Sequence, residues 1–168
     1  MAGCVTIMMG ELGIVEAGKE DLDQAADLIV RMKRLNGEFD PLFKAVEDAK
    51  ERALAYLSRS AGAEGHLVLV AKKGSKVLGV LRAEVRDRLF YEPSREGDIT
   101  DFYILPEWRR RALGDEMLQR ASERLKEMGA EVIVAEFPAR NEIGSKFYTK
   151  RGFRPLVNTF AIEEQRGR

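Results

Sequence analysis

The residues Ile104 to Gly114, I-L-P-E-W-R-R-R-A-L-G, carry a β-branched run into a proline, an arginine triplet and the first small residues of a helix. Such a junction suits an anion. The first backbone N–H groups of a helix lack internal acceptors and sit at the positive end of its dipole, where phosphate oxygens are favoured. Ala112 and Gly114 are small enough to admit a ligand close to the backbone, while Arg109, Arg110 and Arg111 offer charge-assisted hydrogen bonds. Farther along, N-E-I-G-S-K-F-Y-T-K-R-G-F from Asn141 to Phe153 joins a capping asparagine, a phenol and two basic residues on a short helix. The chain has no G-x-x-x-x-G-K-[ST] segment for a nucleoside triphosphate and no G-x-G-x-x-G after its first strand for a dinucleotide.

The elements that must hold these residues read as one mixed α/β domain over residues 1–168, with about the first 11 residues as an N-terminal extension. A short strand at Gly13 to Ala17 leads into Lys19-Glu20-Asp21, a helix start with acids in the first turn. Leu22, Ala25, Ile29, Met32 and Leu35 recur at helical spacing, and Gly37 is expected to end that helix. A second helix is expected from Asp40 as N-cap and Pro41, its apolar stripe being Leu42, Val46, Ala49, Ala53 and Leu57. His66 onward reads as a β-hairpin turning at Gly74, and a polar segment from Arg86 to Gly97 connects to a strand at Asp98 to Leu105. Then follow a helix from Leu113 that stops at Gly129, a strand at Glu131 to Phe137, a helix at Asn141 to Arg151, and β structure from Phe153 to Ile162.

Composition narrows the function classes. With 168 residues, 28 basic and 28 acidic, formal net charge is zero, which argues against a nucleic-acid binder acting through Arg109 to Arg111. Cys4 is the sole cysteine, so no internal disulfide and no thiol metal site is expected. No apolar run reaches the roughly 18 residues of a spanning helix. The expectation is a cytoplasmic protein without a metal.

The two motifs and their order resemble the GNAT superfamily of N-acetyltransferases, whose loop reads [RQ]-x-x-G-x-[GA] and whose later helix reads N-x-x-[AS]-x-x-[FL]-Y-x-x-x-G-F. The resemblance is close from Gly97 to Phe153. It departs at Ala112, which stands where the family usually has glycine; alanine favours φ below zero, so a change in loop geometry or in cofactor affinity is expected. The resemblance implies an α/β, mostly antiparallel mixed sheet with a central, splayed parallel strand pair and helices on both faces. It also implies acetyl-CoA as co-substrate. The backbones of Phe102 and Ile104 would meet its pantetheine, and amides from Arg110 to Asp115 its pyrophosphate. Asn141 and Ser145 would contact the pantetheine arm or its phosphate end, and Lys150 with Arg151 the adenosine 3'-phosphate.

Tyr148 matches the family's general acid. An amine of pKa ~10.4 must lose a proton before it attacks, so a carboxylate acting directly or through water is the expected base. Asp98, Asp101 and Glu136 compete for that role. Strict alternation puts Asp98 and Asp101 on opposite faces unless a bulge intervenes. Glu38 and Phe39, between the first helices, and Tyr91, in the long loop, are candidate acceptor-binding residues, whereas His66 reads as structural and Trp108 as a loop anchor. The acceptor class is a primary amine on a protein N-terminus, a lysine or a small polyamine-like molecule. A non-catalytic acetyl-CoA sensor is the alternative, and a homodimer is left open.

Overall fold

The computed structural model describes residues 11–109 and 112–164. Arg110 and Arg111 lie outside the described residues. Strand β1 (Leu12–Glu16) precedes helices α1 (Leu22–Phe39) and α2 (Ala49–Ser60), then strands β2 (His66–Lys73), β3 (Lys76–Asp87) and β4 (Arg95–Ile104). Helix α3 (Leu113–Glu127), strand β5 (Val132–Ala135) and helix α4 (Glu142–Lys150) complete the order. The strands form one sheet in sequence order, antiparallel from β1 to β4 and parallel between β4 and β5. β5 is the last strand on that side among the described residues.

Successive side chains of a strand face opposite ways, and both faces here are covered. Val68, Val70, Leu78 and Val80 face α1 and α2, where Ala25, Ala26, Ile29, Ala53 and Leu57 meet them. Leu67, Leu69, Leu81 and Ala83 face α3, whose stripe is Leu113, Met117, Ala121 and Leu125. The helical spacing of those apolar residues, rather than intrinsic propensity, ties each helix to its face.

Gly37 does not end α1, which runs on to Phe39. A Cβ at Gly37 would lie 3.4 Å from the Phe43 carbonyl oxygen, so the glycine lets the following chain fold back closely. Asp40 does cap a turn, its Oδ1 accepting from the Leu42 N–H at 2.9 Å, but that turn is a single 3-10 turn over Pro41–Phe43. Helix α2 begins only at Ala49, leaving Leu42 and Val46 about half exposed. The polar connection between β3 and β4 is also shorter than expected, because pairing from Asp87↔Arg95 extends both strands into it. Residues 153–164 form no strand, and Val157, Phe160 and Ile162 stand exposed.

The pairing of β3 with β4 contains one irregular step: Arg82 faces Asp101 and Ala83 faces Ile99, so Thr100 is an extra residue. A bulge of this kind reverses the alternation that follows it. Asp98 opposes Glu84 and Asp101 opposes Arg82, and Arg82 and Glu84 share a face; the two aspartates therefore lie on the same face, not on opposite ones. The same step turns backbone groups. Ile99 O accepts from Glu136 N on the β5 side, whereas Leu105 N donates to Leu78 O on the β3 side. Antiparallel alternation then aims the amides of Phe102 and Ile104 away from β3. Pairing with β5 stops at Ile99↔Ala135, so those amides face the opening where the parallel strands part.

At the far end of β4, Ala112 adopts φ 57° and ψ 6°, the left-handed conformation that glycine takes without penalty. Alanine thus keeps the glycine-like loop shape instead of altering it. Ala112→Gly should raise unfolding stability by about 1 kcal/mol, less what glycine adds to unfolded-chain entropy. A chemical denaturation curve checks this, and a loss of stability would mean that the left-handed turn is not held in solution.

Candidate active site

The face shared by Asp98 and Asp101 is crossed by polar and charged residues from four elements, α1, α2, β3 and β4. Asp101 is fully engaged. Lys33 Nζ of α1 donates to its Oδ1 at 2.6 Å, while the Tyr56 hydroxyl of α2 and the Thr100 hydroxyl donate to Oδ2 at 2.7 and 2.9 Å. Burial first, and then the Asp101 charge, push the Tyr56 phenol up to about 12, so it remains a neutral donor. Beside it, the buried Arg82 guanidinium donates to Ser60 Oγ, Thr100 Oγ1 and Glu84 Oε2, with its carbon 4.5 Å over the Tyr56 ring. A buried charge survives when its donors are matched in this way.

Asp98 is different. It is wholly buried, and neither carboxylate oxygen receives an aligned hydrogen bond from a described residue. Arg86 Nη1 approaches Oδ2 to 2.6 Å as an ion pair and reaches Glu84 and Glu136 as well. Burial, followed by the negative charge of Glu136, raises the Asp98 carboxyl to about 6, with Arg86 pulling the other way. A carboxylate raised toward neutrality suits a base, whereas the oxygens of Asp101 are already taken by donors. Glu136 lies just beyond β5 with a side chain 69% exposed, 3.8 Å from Arg86.

Tyr148, on α4, packs into the cluster on the α3 face of the sheet, near enough to Asp98 to feel its charge. It is buried, stacked on Phe137 at 5.4 Å and edge-on to Phe147 and Phe153. Burial pushes its phenol above the ordinary tyrosine range, opposed by Arg151 and reinforced by the charge of Asp98. The packing that fixes the ring also keeps its proton. Asn141 caps α4, its Oδ1 accepting from Gly144 N at 2.9 Å, and Ser145 and Lys150 are exposed on the same helix.

The loop before α3 is arranged otherwise than charge alone suggests. Arg109 Nε donates to the Ile104 carbonyl at 2.8 Å, and its guanidinium lies 5.1 Å over the Tyr103 ring. It closes the end of β4 rather than standing free. Asp115 pairs with Arg151, whose guanidinium stacks 3.6 Å from the Phe147 ring centre. Gly114 is buried, and a Cβ there would lie 3.0 Å from the Phe147 ring, so its small size serves the approach of α3 to α4. Trp108 packs against both core clusters, as a loop anchor should. What the loop presents to a ligand is the start of α3, where the amides of Leu113, Gly114 and Asp115 precede the first helical acceptor bond, Glu116 N to Ala112 O.

The expected acceptor residues are not gathered here. Glu38 is exposed and Phe39 half-buried in the last turn of α1, beside a depression of about 540 Å3 lined by Arg34, Gly37, Pro41 and Lys44 to Glu47. Tyr91 is 65% exposed at the β3–β4 tip, its ring 5.4 Å from Arg88. His66 lies nearer the site than its sequence position suggests, with Nε2 3.3 Å from Glu84. Lys33, Tyr56, Arg82, Glu84 and Arg86 are the site residues that sequence reasoning missed. The alternation in L-R-A-E-V-R was the available signal, since it places Arg82, Glu84 and Arg86 on one face.

A mixed sheet that opens beyond a parallel strand pair, with a helix start at the end of the opening, defines an acetyltransferase-type domain. The profile of the GNAT acetyltransferase family matches residues 30–153, and the chain belongs to that family. No curated protein matches the chain. Among solved structures it is similar to a predicted acetyltransferase of Clostridium acetobutylicum, solved with acetyl-CoA, at 17% identity and TM-score 0.73, covering 91% of this chain and 96% of that one. It is similar also to an aminoglycoside 6'-N-acetyltransferase of Acinetobacter haemolyticus, at 17% identity and TM-score 0.72, covering 91% and 98%. A transcriptional regulator from Bacillus halodurans matches at 20% identity and TM-score 0.72, covering 92% and 100%. At these identities the likeness establishes the fold.

The upward shift of Asp98 sets the sign of a stability effect. Below about pH 4 the carboxyl is protonated both folded and unfolded; as pH rises to about 6 the unfolded chain releases a proton that the folded one keeps. Stability therefore falls through that window, by about 3 kcal/mol from a shift of some two units. Asp98→Asn should stabilise the fold above pH 6, with the gain vanishing near pH 4. Thermal melts at the two pH values check it, and equal melting shifts at both would remove the buried charge as the cause.

Proposed function

We propose that the chain transfers an acetyl group from acetyl-CoA to a primary amine by direct attack, with Asp98 as general base and Tyr148 as general acid. The observation that carries this reading is Asp98, a buried carboxylate without aligned donors, raised to about 6 and electrostatically coupled to Tyr148. The open amides of Phe102 and Ile104, the left-handed Ala112 and the start of α3 fit the co-substrate. These residues would hold its pantetheine and pyrophosphate, and Asn141, Ser145 and Lys150 would line the side formed by α4. When bound, acetyl-CoA supplies an activated acyl carbon and a thiol leaving group.

Asp98 accepts the proton of the incoming ammonium, directly or through one water, so that the nitrogen lone pair is free to form the N–C bond. As the C–S bond breaks the nitrogen sheds its second proton and the sulfur needs one. Tyr148 stands ready with one because its aromatic surroundings prevent its ionisation. A phenol held above pKa 10 is a weaker acid than a thiol of pKa ~8.5, so it gives its proton to the sulfur only as it takes the second proton of the nitrogen, and it ends neutral. Asp101, locked by Lys33, Tyr56 and Thr100, holds α1 and α2 against the bulge. The acceptor is a protein N-terminus, a lysine or a small polyamine-like amine.

Tyr148→Phe keeps the ring packing and removes the proton. It should lower turnover on the order of 10²-fold while leaving acetyl-CoA affinity nearly intact. Release of CoA thiol from purified protein with polyamines, amino acids and peptides bearing free N-termini provides the assay. Unchanged turnover in the variant would remove Tyr148 from the chemistry. Tight acetyl-CoA binding with no amine accepted would replace the transferase by a sensor.

A further inference from the structure

Asp98 is approached by charged groups from every element around it, and two of them reach the mouth of the opening. Arg86, on β3, extends across β4: it contacts Glu84 on its own strand at 2.5 Å, Asp98 on β4 at 2.6 Å and Glu136 just past β5 at 3.8 Å. One guanidinium thus spans three strands at the level where β4 and β5 begin to separate. The other facing groups are Glu96 on β4 and Tyr148 on α4. Arg86 and Glu136 are each substantially exposed, at 43% and 69% of their side chains, whereas Asp98 is wholly buried. Either can change without opening the core.

We infer that Arg86 and Glu136 are an opposed pair of positioning residues that together set the pH at which Asp98 works as a base. The inference rests on the acetyltransferase reading and assigns Glu136 a role other than base. Arg86 favours the charged carboxylate, since an adjacent opposite charge lowers a carboxyl pKa; Glu136 opposes it, since an adjacent like charge raises it. Glu136 also holds Arg86, so the guanidinium is shared rather than devoted to Asp98. Charge balance between the two exposed residues, not burial alone, fixes where the base titrates. Lys33 and Arg82 are committed to Asp101 and Glu84 on the same face.

The test is the pH profile of kcat/KM, measured by CoA thiol release with the best amine from an acceptor screen, in the wild type and three variants. Arg86→Gln should move the acidic limb up by about one pH unit or more, with activity recovering at high pH, and Arg86→Lys should return most of the shift. Glu136→Gln should move the limb in the opposite direction, downward. An unmoved limb in both Gln variants, or a pH-independent loss of kcat in Arg86→Gln with no rescue by lysine, would overturn the inference and leave Arg86 a structural brace. Asp98→Asn separates the two levels of argument. If it retains the wild-type limb, the assignment of Asp98 fails; if it abolishes the limb while the Gln variants leave it in place, only the tuning role fails.

Discussion

One extra residue, Thr100, decides the geometry of the site. Without it, β4 would continue its alternation, Asp98 and Asp101 would face opposite sides of the sheet, and the amides of Phe102 and Ile104 would be spent on β3. With it, a carboxylate pair shares one face and a row of unpaired amides faces the gap beyond Ile99. Bulges re-aim side chains next to active sites in this manner. The parting of β4 from β5 would expose unsatisfied backbone in an ordinary sheet; in the proposed function those groups would meet a ligand with amides of its own.

The two aspartates show how environment divides like residues into unlike roles. Asp101 has a lysine, a phenol and a threonine hydroxyl around it, and its oxygens are occupied by their hydrogen bonds. Asp98 has an ion-pair contact without aligned donors and a repelling neighbour, and its charge is costly. A protein selected for stability alone would neutralise Asp98. A carboxylate destabilised in this way gains basicity near neutral pH, which is the property the proposed role of Asp98 calls on.

Much of this was legible in the sequence. The apolar stripe of α3, the Asn141 cap of α4 and the hairpin at Gly74 are local signals, and they recur in the structure. Asp40 shows where a local signal stops: the cap forms, but nothing apolar lies above Leu42 and Val46 to carry the helix onward, so it restarts at Ala49. The β-like pattern of Phe153 to Ile162 pairs with no strand among the described residues, although the outer edge of β5 is open there. The network of Lys33, Tyr56, Arg82 and Asp101 joins two helices and two strands. Such contacts depend on register, and one bulged residue was enough to move Asp98 and Asp101 onto a common face. Ala112 was readable as a departure but not in its conformation, because whether an alanine accepts a left-handed turn depends on what the neighbouring helix and strand impose.

The central claim is that burial and charge hold one carboxylate, Asp98, near neutrality. Side-chain carbon NMR of the protein with 13C-labelled aspartate, assigned through the Asp98→Asn variant, measures that directly. The account requires the Asp98 carboxyl to titrate at about 6. Titration near 4, the range of an ordinary aspartate, would contradict it.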